Sequence, residues 1–77
     1  MTELELDLAR KYGASLYLVY RSFVLKGSMT PKLVESETGL SAMTIFKTLR
    51  TMKELNILTH EYRKEYRLNH CDTWKIQ

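Results

Sequence analysis

The chain has 77 residues and a formal net charge of +3, a length that predicts one small domain over residues 1–77 and argues against an enzyme. Hydrophobic residues make up 44% and charged residues 27%, the mixture of an ordinary folded domain, which argues against disorder, collagen-like repeats and a disulfide scaffold. The single cysteine, Cys71, cannot form an internal disulfide. Because no apolar run reaches the roughly 20 residues of a membrane-spanning helix and the N-terminus lacks a signal-peptide pattern, we expect an intracellular, cytoplasmic protein.

The charge is unevenly distributed along the chain. Residues 1–9 carry three acids and no base, so residues 10–77 hold 12 bases against 6 acids. Six of these bases fall within about twenty residues: Lys47, Arg50, Lys53, Arg63, Lys64 and Arg67. Such a cluster fits a polyanionic partner, and an ordinary solvated basic face is the alternative.

The first two predicted helices lie on either side of Gly13. Before it, leucines and a tyrosine at four-residue spacing favour a helix, although the leucines also alternate as they would in a strand. After it, apolar residues between 14 and 26 recur at three- and four-residue steps, which is the spacing of one helical face. Gly27 ends this second segment, because glycine adopts the left-handed conformation that closes many helices.

A short predicted helix follows. Thr30 is a suitable N-cap and Pro31 a suitable first residue for a helix that runs to about Glu37, with Gly39 in the turn after it.

The next helix has Ser41 as its N-cap and reaches about Leu55. Its predicted buried stripe consists of Ile45, Leu49 and Met52. Asn56 closes it, because asparagine is the non-glycine residue that most readily adopts the left-handed conformation.

Beyond Asn56 the hydrophobic period changes from about 3.6 to 2, which is typical of strands. Residues 58–62 and 66–70 alternate, and the short polar segment 63–65 between them predicts an antiparallel hairpin. The tail, residues 71–77, carries Trp74 and Ile76, whose apolar surfaces must pack against something.

The segment from Thr30 to Leu58 carries a motif, most clearly in Thr38-Gly39-Leu40-Ser41 followed by Thr44-Ile45, Leu49, Met52 and Ile57-Leu58. It resembles the core of bacterial and archaeal winged helix-turn-helix regulators, and the short chain resembles the minimal regulators found in archaea and on their viruses and plasmids. Asn56 departs from the glycine that is usual in those families. The resemblance implies an α+β, mostly α, domain with three helices followed by a two-stranded antiparallel wing. It extends over about residues 14–70, with residues 1–13 and 71–77 as extensions.

The family resemblance implies a sequence-specific regulator of transcription that binds double-stranded DNA, with the helix at about 41–55 in the major groove and the hairpin 58–70 as the wing. Helical steps of about 100° place four side chains opposite the buried stripe, as candidates for base contacts: Met43, Phe46, Lys47 and Arg50. Candidates for phosphate contacts flank them: Ser41, Ala42, Thr44, Thr48 and Lys53. The wing candidates are Tyr62, Arg63, Lys64 and Arg67.

The two extensions are candidates for homodimer formation, because paired copies would read two half-sites about one helical turn apart. Packing of both ends on their own domain is the alternative. The sequence contains no nucleophilic triad, phosphate-binding glycine loop or paired-cysteine metal motif, so we predict no catalytic residue, cofactor, metal, small-molecule ligand or membrane partner.

Two other functions stay open. Phe46 and Met43 could anchor a protein partner, as in winged-helix domains that serve as interaction modules. His60, His70 and Cys71 could make the chain a metal- or redox-responsive repressor, although their spacing is weak evidence for a zinc site.

Overall fold

Four helices and a two-stranded antiparallel sheet make up the described part of the chain, which in this computed structural model comprises residues 3–60 and 65–75, with the backbone alone at Leu4. The helices are α1 (Glu3–Tyr12), α2 (Ala14–Lys26), α3 (Pro31–Thr38) and α4 (Ala42–Glu54). The strands are β1 (Leu58–His60) and β2 (Tyr66–Leu68), followed by a 3₁₀ turn at Cys71–Thr73. None of the described helices is long and apolar enough to cross a membrane.

The count of three helices that the family resemblance implies is wrong, because the segment before Gly13, where the spacing of leucines favours a helix, forms α1, a separate helix of 10 residues. Gly13, at φ 91°, interrupts the helical run and lets α1 fold against α2. Leu8 of α1 is 0% exposed and joins the core residues of α2, such as Phe23. Thus α1 belongs to the folded unit and does not project from it.

The ends of α3 and α4 follow the predicted capping. The Thr30 hydroxyl accepts a hydrogen bond from the Leu33 N–H (3.2 Å), and the Ser41 hydroxyl accepts one from the Thr44 N–H (3.3 Å). Gly39, at φ 73°, closes α3 in the left-handed conformation. Asn56, at φ 61°, turns the chain after α4, where the Ile57 N–H donates to the Met52 carbonyl (2.8 Å).

The hairpin pairs Leu58 with Leu68 and His60 with Tyr66, and its described strands are shorter than the predicted ones. Met29 extends this sheet on its other side, because its N–H and carbonyl both bond to the backbone of Tyr66 (3.0 and 2.7 Å). The predicted hairpin tip, with Arg63 and Lys64, lies outside the described residues.

One core joins all four helices to the hairpin. Its fully buried members are Leu8, Leu16, Val19, Phe23, Met29, Val34, Ile45, Leu49, Met52, Ile57 and Leu58. Removing these side chains from water is the main stabilising term of the fold. Only one face of α4 packs against the core, so the opposite face of the helix is exposed to solvent.

The described part of the C-terminal tail packs on its own domain. Trp74 lies edge-on against Tyr20 with ring centroids 5.7 Å apart, and its indole N–H donates to the Asn69 carbonyl (3.0 Å). The Lys75 N–H donates to the Leu55 carbonyl (2.6 Å), which fastens the tail to the end of α4. Leu8 of the N-terminal extension and Trp74 of the C-terminal extension therefore pack within one chain, whereas Ile76 lies outside the described residues.

Candidate nucleic-acid interface

Helix α4 divides into a buried and an exposed face. Ile45, Leu49 and Met52 are buried, as predicted. Met43 and Phe46 are 70% and 60% exposed, although both are large and apolar. Lys47, Arg50 and Lys53 are also exposed, so these five side chains form one continuous helical face, which we call the α4 face.

Thr48 does not lie on the α4 face. It is 8% exposed and borders a groove that is also lined by Tyr12 and Leu16. Thr48 therefore presents little surface to a ligand, in contrast to the exposed Lys47 beside it, and its predicted phosphate contact stays a prediction. Its burial agrees with its helical position, because Thr48 lies three residues after Ile45 and four before Met52.

The first turn of α4 presents polar groups at one end of the α4 face. The Ser41 hydroxyl donates to the Thr44 hydroxyl (3.0 Å) and caps the Thr44 N–H. Ser41 and Ala42 are exposed and Thr44 is half-buried. The positive end of the helix dipole and the free backbone N–H groups of a first turn favour a negatively charged ligand at this position.

The positive charge of the α4 face is only weakly neutralised within the chain. Arg50 Nε lies 3.4 Å from the Glu54 carboxylate one turn later, but both side chains are more than half exposed, so this ion pair contributes little. Among the described residues no ion pair is found for Lys47 or Lys53. The guanidinium of Arg50 therefore remains available to a stronger acceptor.

Two grooves run along the sides of the α4 face. The first, of about 570 Å³, lies between α3 and α4. Its lining is mainly apolar, with one lysine and one glutamate: Thr30, Pro31, Lys32, Glu35, Ala42, Ile45 and Phe46.

The second groove, of about 300 Å³, lies between α4 and the junction of α1 with α2. It is lined by two lysines and no acid: Lys11, Tyr12, Leu16, Lys47, Thr48 and Thr51. We call it the α1–α4 groove.

The described part of the hairpin contributes Arg67, which is exposed on β2 and pairs with Thr59 on β1. The other predicted wing residues, Tyr62, Arg63 and Lys64, lie outside the described residues. His60 stacks on Tyr66 with ring centroids 4.3 Å apart.

Within the described ranges, the group of possible metal ligands is His70, Cys71 and Asp72, with ligand atoms within 4.8 Å of one another. His60, which the sequence-based hypothesis included, is not in this group. All three residues are exposed, and His70 Nδ1 lies 3.2 Å from the Asp72 carboxylate. Because they are consecutive residues around one short turn, their proximity follows from the turn itself and is no evidence for a metal.

Lys11 and Lys32 line the two grooves beside α4, and neither is among the predicted DNA-binding residues. The position of Lys32 is predictable from the local sequence, because Lys32 follows the Thr30 cap and Pro31 and so lies in the first turn of α3. The position of Lys11 beside α4 is not predictable in this way, because it depends on how α1 folds back at Gly13.

Comparison with known proteins identifies the fold. No protein-family model matches the chain, and no curated protein matches it in sequence. Among solved structures the chain is similar to TrmBL2, described as an archaeal chromatin protein that shows a novel mode of DNA binding, with a TM-score of 0.71 and 17% sequence identity. The match covers 91% of this chain and 29% of TrmBL2, so the chain spans less than a third of that protein's length. The winged helix-turn-helix fold predicted from the sequence is confirmed.

Proposed function

We propose that the chain is a sequence-specific regulator of transcription that binds double-stranded DNA, with α4 in the major groove and the hairpin as the wing. The observation that carries this proposal is the α4 face, where three cations and two large apolar side chains stand opposite the stripe that anchors the helix. At 13 residues α4 is about 20 Å long, and the major groove, about 12 Å wide, admits a helix.

The residues of the α4 face suit different parts of a duplex. Arg50 and Lys47 donate hydrogen bonds and match the O6 and N7 acceptors of guanine, whereas Met43 and Phe46 match the methyl group of thymine. The phosphate ligands in this proposal are Lys53, Thr44, and Ser41 and Ala42 at the start of α4. Phosphate contacts fix the orientation of the helix, and base contacts supply sequence preference.

The structural neighbour supports DNA as the partner, because TrmBL2 is described as binding DNA and has the same fold over most of this chain. Its description as a chromatin protein belongs to a much longer chain. In our proposal the wing uses Arg67, together with Tyr62, Arg63 and Lys64, to contact the minor groove or its phosphates beside α4.

We further propose that the chain acts in the cell as a homodimer without catalytic activity. One short recognition helix makes few base contacts, and a two-fold dimer doubles them at half-sites about 34 Å apart. Light scattering across a concentration series, with and without duplex, measures the oligomeric state. A monomer that binds duplex one to one would contradict the dimer and leave DNA binding intact.

Selection of bound sequences from a random duplex pool tests the proposed function. A regulator of this kind enriches a short site, and a dimer enriches a palindrome with half-sites about 10 base pairs apart. Recovery of an unenriched pool at salt concentrations that still permit binding would contradict sequence specificity. Failure to retain any duplex would contradict DNA binding.

The apolar groove beside Phe46 favours a second candidate, a protein-binding module. Pro31, Ile45 and Phe46 line it, and exposed aromatic side chains are typical anchors of protein interfaces. Phe46→Ala separates the two functions, because Phe46 is mostly exposed and its removal leaves the fold intact. If DNA binding and sequence preference are unchanged in Phe46→Ala, then Phe46 is free to serve a protein partner; a lost preference at one base pair assigns it to DNA.

A further inference from the structure

Helix α1 has opposite charges at its two ends. Glu3 and Glu5 lie in its first turn, and Arg10 and Lys11 lie in its last turn. The acidic end is held by α2, where the Tyr17 hydroxyl donates to Glu5 (3.4 Å) and Arg21 lies 3.9 Å from the same carboxylate. The basic end lies beside α4.

Lys11 and Lys47 line the α1–α4 groove together, and its lining contains no acidic residue. Among the described residues no ion pair is found for either lysine. Two ammonium groups that share a groove without a counterion repel each other and raise the local positive potential. This groove is therefore complementary to an anion that bridges α1 and α4.

The place of the groove indicates which anion it meets. A helix inserted into the major groove has a phosphodiester strand on each of its two sides, because the two backbones form the walls of that groove. Phe46 and the groove between α3 and α4 lie on one side of α4, and Lys47 and the α1–α4 groove lie on the other. The second wall of the duplex then faces Lys11.

We infer that Lys11 binds a phosphate of the DNA strand that forms the wall of the major groove on the α1 side of α4, where the positive potential of the neighbouring Lys47 strengthens the contact. The inference rests on the proposed function and extends it, because it makes α1 part of the DNA interface. Lys11 contributes affinity that does not depend on sequence, whereas Arg50 contributes sequence preference.

The test compares Lys11→Gln with Arg10→Gln by fluorescence anisotropy on a random duplex of about two helical turns, ~21 base pairs, over a series of salt concentrations. Both variants lose one positive charge from the last turn of α1, and both side chains are exposed, so both variants keep the fold. Arg10 does not line the groove and is the matched control. Thermal unfolding followed by circular dichroism confirms that both are folded.

Lys11→Gln is expected to lower the affinity about fivefold to tenfold at 0.1 M salt and to reduce the slope of log K against log salt by about 0.9, the value for one phosphate contact. Arg10→Gln should change the slope by less than about a third of that amount. On a selected duplex, Lys11→Gln should lose the same factor as on the random one.

Equal slopes for the two variants would overturn the inference, since the effect would then come from net charge alone. A loss confined to the selected duplex would also overturn it, because it would mean base contact. If the wild-type chain binds duplex and loses affinity in Arg50→Ala while Lys11→Gln has no effect, only the inference fails. If the wild-type chain binds no duplex, the proposed function and the inference fail together.

Discussion

Asn56 ends α4 and also fastens the C-terminal turn to it. Its backbone is in the left-handed region at φ 61°, the one described residue other than glycine with a positive φ. Its side-chain amide donates to the Thr73 carbonyl (2.9 Å), and its side-chain and backbone oxygens both accept from the Asn69 amide. A glycine would provide the backbone conformation alone.

Asn56→Gly and Asn56→Ala should separate these two roles. Glycine loses the side-chain hydrogen bonds but also removes the Cβ that the left-handed region disfavours, so it should destabilise the fold by less than about 1 kcal/mol. Alanine loses the same bonds, keeps a Cβ in the left-handed region and tolerates that region less well than asparagine does, so it should cost about 2 kcal/mol. Urea unfolding of the three proteins measures the difference. Stability of the alanine variant equal to or above that of the glycine variant would contradict the backbone role.

Asn56 and Thr48 show what a single sequence reveals at this scale. The conformation of Asn56 is predictable, because it depends on a local backbone demand at the end of a periodic segment. The burial of Thr48 also agrees with its helical spacing, three residues after Ile45 and four before Met52, but the groove that it borders with Tyr12 and Leu16 comes from the tertiary fold. The hydrogen bond from the Asn69 amide to the Asn56 carbonyl is not predictable from the sequence, because the folded hairpin brings these two residues together.

At the scale of elements, α1 is the part of the molecule that sequence reasoning places least well. The bounds of α2 are predicted to the residue, and those of α3 and α4 to within one residue, because caps and glycines mark their ends. The spacing of leucines favours α1 as a helix but says nothing about what it packs against. Its contact with α2 and its place beside α4 come from tertiary structure alone.

Leu8→Ala tests whether α1 belongs to the core. Leu8 is fully buried, so its truncation should leave a cavity and lower the free energy of unfolding by about 2–4 kcal/mol. Leu6→Ala is the matched control on the same helix, where a side chain already 37% exposed should cost less than about 1 kcal/mol. Equal losses in urea unfolding would mean that α1 does not pack as described.

At the scale of the whole molecule, Tyr20 links α2 to the tail and makes stability depend on pH. Burial raises the pKa of the Tyr20 phenol above its ordinary value near 10, and the Glu5 carboxylate raises it further. As pH rises past 10 the unfolded chain releases this proton before the folded one does. The contribution of the protonated Tyr20 phenol to the free energy of unfolding is therefore complete below about pH 10, and it is lost as pH rises through the higher pKa of Tyr20 in the folded chain.

Tyr20→Phe should remove this part of the alkaline dependence. The free energy of unfolding of the wild-type chain, measured in urea at about pH 8 and about pH 11, should fall more steeply than that of the variant. The phenylalanine ring can keep the edge-on contact with Trp74, which makes the comparison direct. Parallel pH profiles would contradict the assigned burial of the phenol.

The net charge of +3 does not show how the acidic and basic residues are separated in the folded chain. The acidic start of α1 is bound by α2, whereas the basic end of α1 and the cations of α4 come together around one groove. Sequence alone separates an acidic N-terminus from a basic remainder. The structure shows that the boundary runs through α1 itself and places Lys11 on the basic side.

The double variant Lys47→Ala with Arg50→Ala tests whether the α4 face binds DNA. The control, Lys26→Ala with Lys75→Ala, removes two exposed charges from α2 and the C-terminal tail, of which Lys26 lies 3.6 Å from the Glu37 carboxylate. Affinity is measured on a selected and on a random duplex over a salt series.

Each base contact is worth about 1–3 kcal/mol of discrimination, so the double variant should lose at least about 30-fold on the selected duplex and most of its preference over the random one. The control should keep that preference. Unchanged affinity, preference and salt dependence in Lys47→Ala with Arg50→Ala would contradict the assignment of α4 as the recognition helix.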